Sequence, residues 1–175
     1  MADNLLSRQF SHDRINQAWV SDITYIRTSE GWLYLAAVMD LASRRIVGRS
    51  MSDTMDTALI AAALRSAVAS RKPEHGLIVH SDRGCQYASH SYRDLIGSQG
   101  FRQSMSRKGN CWDNAPMESF FHSLKVEWLY GSRYETRAEA QAPVFEYIEV
   151  WYNRKRLHST LDYMSPANYE FKLAA

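Results

Sequence analysis

Eight consecutive residues, Trp32 to Met39 (WLYLAAVM), carry no charge. The run is far too short to cross a bilayer, which takes about 20 residues. It suits a strand covered on both faces, where no polar side is needed. Upstream, Trp19 to Arg27 (WVSDITYIR) is rich in β-branched and aromatic residues and alternates in character, so it reads as a strand. Ser29, Glu30 and Gly31 form the turn between the two. Downstream, Asp40 to Arg44 turns the chain again, and Ile46 to Met51 reads as a third strand. Connections this short make the three an antiparallel meander.

The period then changes. Ile60, Ala63, Leu64, Ala67 and Val68 recur at the spacing of one helix face, and Pro73 and Gly76 end that helix. Leu77 to His80 (LIVH) is a short buried strand. The helix before it allows it to pair parallel with an earlier strand. A helix is expected from about Ser89 to Ser98, stopped by Gly100, and Phe101 to Met105 reads as a fifth strand. Ser106 to Ala115 is a polar, glycine-containing loop. A long helix starts near Asp113 or Asn114, with Pro116 in its first turn, where proline is tolerated. Another starts at Thr136, whose T-x-x-E pattern with Glu139 reads as a capping box, and should run to about Asn153. Pro143 lies inside it, at a cost of roughly 3 kcal/mol, and predicts a kink or break. The order gives an α/β chain with a mixed five-stranded sheet, three antiparallel strands plus two further strands, flanked by helices. Residues 1–16 read as a linker or lead-in, 17–157 as the core and 158–175 as a C-terminal tail.

The 175 residues suffice for one hydrophobic core. The N-terminus lacks the apolar stretch of a secretory signal. Cys85 and Cys111 have neither zinc-site spacing nor a disulfide framework, and a reducing cytoplasm is the default reading. A net charge of +2 permits nucleic-acid binding without arguing for it.

Three carboxylates stand out. Asp22 lies mid-strand among core residues, where a carboxylate needs a cation or metal. Asp82 follows the buried strand LIVH in HSDRGCQY, at the end of a strand where α/β sheets commonly bind ligands. Glu118 opens a helix in WDNAPMESF, and 35 residues lie between it and Asp82. Each has a duller explanation: an edge residue, a turn former and a complement to the helix dipole. Together they suit two Mg²⁺ ions, whose mutual repulsion demands hard anionic oxygens. Zinc is disfavoured, since no His or Cys stands at ligand spacing. Glu118, His122 and Lys125 share one helix face, beside an apolar face of Met117, Phe121, Leu124 and Trp128. A solvated stripe without function explains the first face equally well.

WVSDITYI, HSDRGCQY and DNAPMESFFHSLKVE closely resemble the three acidic motifs of the DDE transposases and retroviral integrases. WYNRKRLHSTLDYMSP resembles the C-terminal signature of bacterial insertion-sequence transposases whose catalytic half lies in a second reading frame. The resemblance implies an RNase H-like fold, with Asp22, Asp82 and Glu118 as the catalytic and metal-binding triad. It implies two Mg²⁺ ions, with Mn²⁺ as a substitute, and DNA strand cleavage and transfer. The loop Ser106 to Ala115, with Arg107, Lys108, Asn110 and Asn114, would handle the DNA end. His122 and Lys125 match the family's DNA-contacting face, and Arg83, Gln86 and Tyr87 lie close enough to Asp82 to touch substrate. DNA ends and target DNA are the implied partners, together with a second copy of the chain in a dimer or higher oligomer. Such transposases carry a helix-turn-helix region upstream, so the chain is expected to be a fragment or a degenerate copy. Two other readings compete: an RNase H-like nuclease that cleaves without joining, and a truncated copy that only binds DNA or regulates an intact enzyme.

Overall fold

The structure is a computed structural model describing residues 1–175, the side chain of Cys111 excepted. Strands β1 (Ala18–Thr28), β2 (Gly31–Asp40) and β3 (Ile46–Ser52) form the expected antiparallel meander. β4 (Ile78–Ser81) pairs parallel with β1, and β5 (Arg102–Met105) pairs parallel with β4. The sheet order β3-β2-β1-β4-β5 puts β1 in the middle. All five strands fall within one residue of their expected ends.

Helices α1 (Thr57–Arg71) and α2 (His90–Ser98) cover one face of the sheet. On the other lie α3 (Ala115–Leu124), which continues as π-helical turns Lys125–Leu129, and α4 (Arg137–Glu146), which continues as π-helical turns Tyr147–Tyr152. Side chains alternate across a strand, so β2 splits between two cores. Leu33, Leu35, Ala37 and Met39 pack under α3 and α4, while Ala36 and Val38 pack under α1. That division is why the run in β2 needs no polar residue. At Gly48, α1 comes so close to β3 that a Cβ would meet the Ala63 carbonyl oxygen and lie 2.6 Å from the Ala67 Cβ.

The capping box is formed: the Thr136 hydroxyl accepts from the Glu139 amide at 3.2 Å, and Glu139 reaches back to the Thr136 amide. Of the kink or break expected at Pro143, the break does not occur; α4 runs through it, and the helix changes type only at Tyr147. The carbonyl that loses its partner belongs to Glu139, an exposed residue, so water can satisfy it. One helix went unforeseen. α5 (Pro166–Ala174) is capped by Ser165, which accepts from the Asn168 amide at 3.3 Å. Its Glu170 takes Arg71 at 2.7 and 2.9 Å and Arg45 at 2.8 Å, tying the tail to α1 and the β2–β3 turn.

Candidate active site

The parallel pairing of β1 with β4 does most to build the site. Ser21 and Ser81 are register partners, so Asp22 and Asp82 follow them on adjacent strands, whose backbones run about 5 Å apart. Glu118 comes from the first turn of α3, which packs on the apolar face of β1. The three carboxylates line one cavity of about 420 Å³, shared with Arg83, Ser106, Arg107, Gly109, Asn110 and Asn114. Asp82 and Glu118 are exposed, and Asp22 is half-buried. Among the described residues, no three His, Cys, Asp or Glu side chains stand close enough to hold a metal ion. The acids share a cavity wall without closing into a cage.

The Asp22 carboxyl is pushed up to about 7, first by burial and then by the charges of Asp82 and Glu118. The Ile23 amide, which donates to Oδ1 at 2.8 Å, opposes the shift, as does nearby Asn114. Asn114 is buried, and neither its Oδ1 nor its Nδ2 makes a hydrogen bond of good geometry. A raised folded-state pKa means the folded chain keeps a proton that the unfolded chain loses, so stability falls as pH rises from about 4 to about 7. In metal-free buffer, Asp22→Asn is therefore expected to be more stable than the wild type at pH 8, by on the order of 2 kcal/mol, and about equal to it at pH 4. Urea unfolding at the two pH values measures the gap; a gap that does not change with pH contradicts the assignment.

Polar pins hold the walls. His80 is buried at the end of β4, with Nδ1 2.8 Å from the Ser104 hydroxyl and Nε2 3.2 Å from the Ser106 hydroxyl. Burial pushes its ring down to about 4, so it is neutral at pH 7. Ser106 in turn offers its carbonyl to Arg83 Nε at 2.6 Å. Asp113 ties the loop between β5 and α3. It accepts from the Arg107 amide at 2.9 Å and the Arg107 guanidinium at 2.9 and 3.1 Å, from Arg8 Nε at 2.8 Å and from Asn4 Nδ2 at 3.0 Å. Those bonds, led by the ones from Arg107, hold its carboxyl well below the usual carboxylate range. Asp113 is enclosed by its partners rather than by depth, since the Arg107 and Arg8 side chains are themselves 56% and 43% exposed.

Of the residues expected to touch DNA, Arg83, Arg107, Asn110 and Asn114 line the cavity. Lys108, His122 and Lys125 are exposed outside its lining, with the Lys125 ammonium 4.9 Å from the centre of the Tyr25 ring. Gln86 is half-buried and donates to the Met55 carbonyl. Tyr87 is a correction. It is 1% exposed, with its hydroxyl 3.0 Å from that of Ser21, and so forms part of the core behind the site and cannot reach substrate. Asp113, Arg8, Asn4 and His80 were not anticipated.

This arrangement is an RNase H-like α/β fold with an acidic cavity at the ends of its central strands. The catalytic core domain of HTLV-2 integrase, solved in complex with magnesium in a trimeric form, superimposes with a TM-score of 0.67 at 11% identity, over 89% of this chain and 96% of that one. A chain of the simian T-cell lymphotropic virus intasome superimposes with a TM-score of 0.72 at 16% identity, over 89% of this chain and 54% of that one. Two integrase core domain models match, one over residues 12–111 and the other over residues 118–173. The chain belongs to the integrase core domain family. It is 48% identical to the transposase for insertion sequence element IS904 of Lactococcus lactis, over 95% of this chain and 66% of that protein. It is 49% identical to the transposase InsF for insertion sequence IS3A of Escherichia coli, over 98% of this chain and 60% of that protein. An uncharacterized 31 kDa protein of insertion element IS600 from Shigella sonnei is 48% identical, over 98% of this chain and 63% of that protein. The chain thus spans about three-fifths to two-thirds of the curated relatives it matches. Among the described residues, no helix is long and apolar enough to cross a membrane.

Proposed function

We propose that the chain is the catalytic core of a transposase, which cuts DNA strands and joins the resulting ends to target DNA, with Asp22, Asp82 and Glu118 as ligands to two Mg²⁺ ions. The observation that carries this reading is that acids from β1, the end of β4 and α3 line one cavity. The donors suit the metal: carboxylates and the unpartnered Oδ1 of Asn114 are hard oxygens, and the cavity lining contains no His or Cys. Bound there, a pair of divalent ions would activate the attacking water or 3′-hydroxyl and neutralise the leaving oxygen. The spread of the three carboxylates leaves room for ions and a phosphate oxygen to enter together.

The chain's own groups then position DNA. Arg83, braced by the Ser106 carbonyl, and Arg107, braced by Asp113, present charge at the cavity. Lys108 and Asn110 extend this surface along the loop. His122 and Lys125, at the next positions on the Glu118 face of the helix, would hold the flanking backbone, and Gln86 lies at the rim. Tyr87 has no part in it. Two element ends require more than one active site, so a dimer or larger assembly on DNA belongs to the same proposal. The HTLV-2 core domain has been solved in both dimeric and trimeric forms.

The test is to incubate the chain with DNA carrying a free 3′-hydroxyl end and a target duplex, with Mg²⁺, Mn²⁺ or a chelator. Joined product is expected with either metal and none with the chelator. Cleavage without joining would favour the nuclease reading. Salt-dependent DNA binding with no product in either metal would favour a copy that only binds.

A further inference from the structure

On the side of α3 away from the acidic cavity lies a second cavity of about 260 Å³. Arg44, Ser119, Ser123, Arg156, His158 and Thr160 are among its lining residues, and no carboxylate is. Arg156 already has a partner: its Nε and Nη2 donate to Glu127 at 2.8 to 3.0 Å. Arg44 does not. It makes no ion pair or hydrogen bond among the described residues, and its Nη1 is shielded from water with nothing to donate to. His158 Nε2 is in the same state. The other ring nitrogen, Nδ1, lies 3.5 Å from Arg156 Nη1, a long contact in which only a bare Nδ1 can accept. With Nδ1 facing that guanidinium, the tautomer protonated on Nε2 is the favoured one, and it makes Nε2 a second donor without an acceptor. Burial, with help from Arg156 and Arg44, holds the ring down to about 4, which keeps it neutral at pH 7.

A half-buried guanidinium whose Nη1 has no acceptor and which forms no ion pair carries a desolvation cost, against which the nearby charge of Asp40 acts. Arg44 also sits in the left-handed backbone region, at φ 59, which adds strain. Among the described residues no carboxylate reaches Arg44 at ion-pair distance, and Asp40 acts on it only from further off. Arg156, His158 and Thr160 belong to the tail motif WYNRKRLHSTLDYMSP, for which the acidic cavity has no use.

We propose that this second cavity binds a phosphate of a DNA strand, with Arg44 supplying the charge and His158 Nε2 and the nearby hydroxyls supplying hydrogen bonds. The inference rests on the transposase reading. It takes DNA as the occupant because α3 lines both cavities, with Glu118 on the acidic one and Ala115, Ser119 and Ser123 on this one, and a helix is about 10 Å across. A strand whose reacting phosphate meets Asp22, Asp82 and Glu118 therefore has neighbouring phosphates within reach.

The test compares the wild-type chain, R44Q and R44K. Three quantities are measured: affinity for a short duplex between 50 and 200 mM salt, Tm, and the shift of the His158 imidazole NMR signals with inorganic phosphate. R44Q is expected to weaken DNA binding by about tenfold and to lower the salt slope by about one. Its Tm should hold or rise, because an unpaired charge has been removed, and R44K should keep the slope. Phosphate should shift the His158 signals in the wild type and not in R44Q. Unchanged affinity and slope in R44Q would overturn the inference, as would a lower Tm in both variants, which marks a structural arginine. A phosphate shift with unchanged DNA binding in R44Q would leave only a free-phosphate site and overturn the DNA occupant. A wild-type chain that binds no DNA would overturn the transposase reading as well. Loss of joining in Asp82→Asn alongside unchanged DNA binding in R44Q would sink this inference alone.

Discussion

Asp82→Asn is expected to lower metal-dependent strand joining on the order of a thousandfold, equivalent to about 4 kcal/mol of barrier, while leaving the fold intact. The structure separates the two effects. Asp82 is exposed, and among the described residues its carboxyl group has one hydrogen bond, accepted by Oδ1 from the Gly84 amide at 2.9 Å. Asparagine keeps that oxygen, so the turn survives and stability should stay within about 0.5 kcal/mol of wild type. What it loses is the negative charge that balances a divalent ion beside Asp22 and Glu118. Joining assays in Mg²⁺ and in Mn²⁺, with a urea melt of the same preparation, measure both effects. An active variant would reject Asp82 as a ligand, and an inactive variant that has also unfolded would point to a structural role.

The second large effect is at Asp113, which touches no substrate. Asp113→Ala removes an acceptor of hydrogen bonds from Arg107, Arg8 and Asn4. Arg107 and Arg8 are exposed enough to turn to water, so the cost is well below that of a broken buried pair, about 2 kcal/mol. The loop between β5 and α3, which carries Asn110 and leads into Asn114 and Glu118, loses its anchor. A displacement of about 1 Å in a reacting group can cost a hundredfold in rate, and joining is expected to fall about 10- to 100-fold. The pH dependence has a definite sign. The depressed folded-state pKa means that Asp113 contributes its stability above the unfolded value of about 4 and loses it as pH falls further. The stability gap between wild type and variant should therefore narrow below pH 4. A gap that widens there, or a variant with full activity, would contradict the anchoring role.

Much of this was legible in the sequence because it is local. The uncharged run in β2, the short turns and the switch of period at Ile60 carry the meander and a later parallel strand, but not that β4 pairs with β1 or β5 with β4. Only Asp22, mid-strand among core residues, is out of place by itself; Asp82 and Glu118 have ordinary local explanations, and the three were legible together with their flanking motifs. Asp113 was not legible as an anchor: Arg107 is only six residues away, but its partners Arg8 and Asn4 lie 105 and 109 residues away and no local pattern links them. Tyr87 misled because nearness to Asp82 in sequence says nothing about which way a side chain points. His80 was read as the last residue of a buried strand, and its hydroxyl partners lie 24 and 26 residues away. α5 could have been read: Ser165 followed by Pro166 is a cap and a first-turn proline. At Pro143, propensity argued for a break, but exposure at the freed carbonyl and packing of Val144, Tyr147 and Ile148 in the core kept the helix whole.

The most direct measurement is anomalous scattering from crystals of the chain soaked in Mn²⁺. Scattering peaks are expected in the cavity between β1, β4 and α3, with oxygens of Asp22, Asp82 and Glu118 drawn in from their present spread to ligand distance. Peaks bound elsewhere, with those three carboxyl groups still apart, would contradict the assignment.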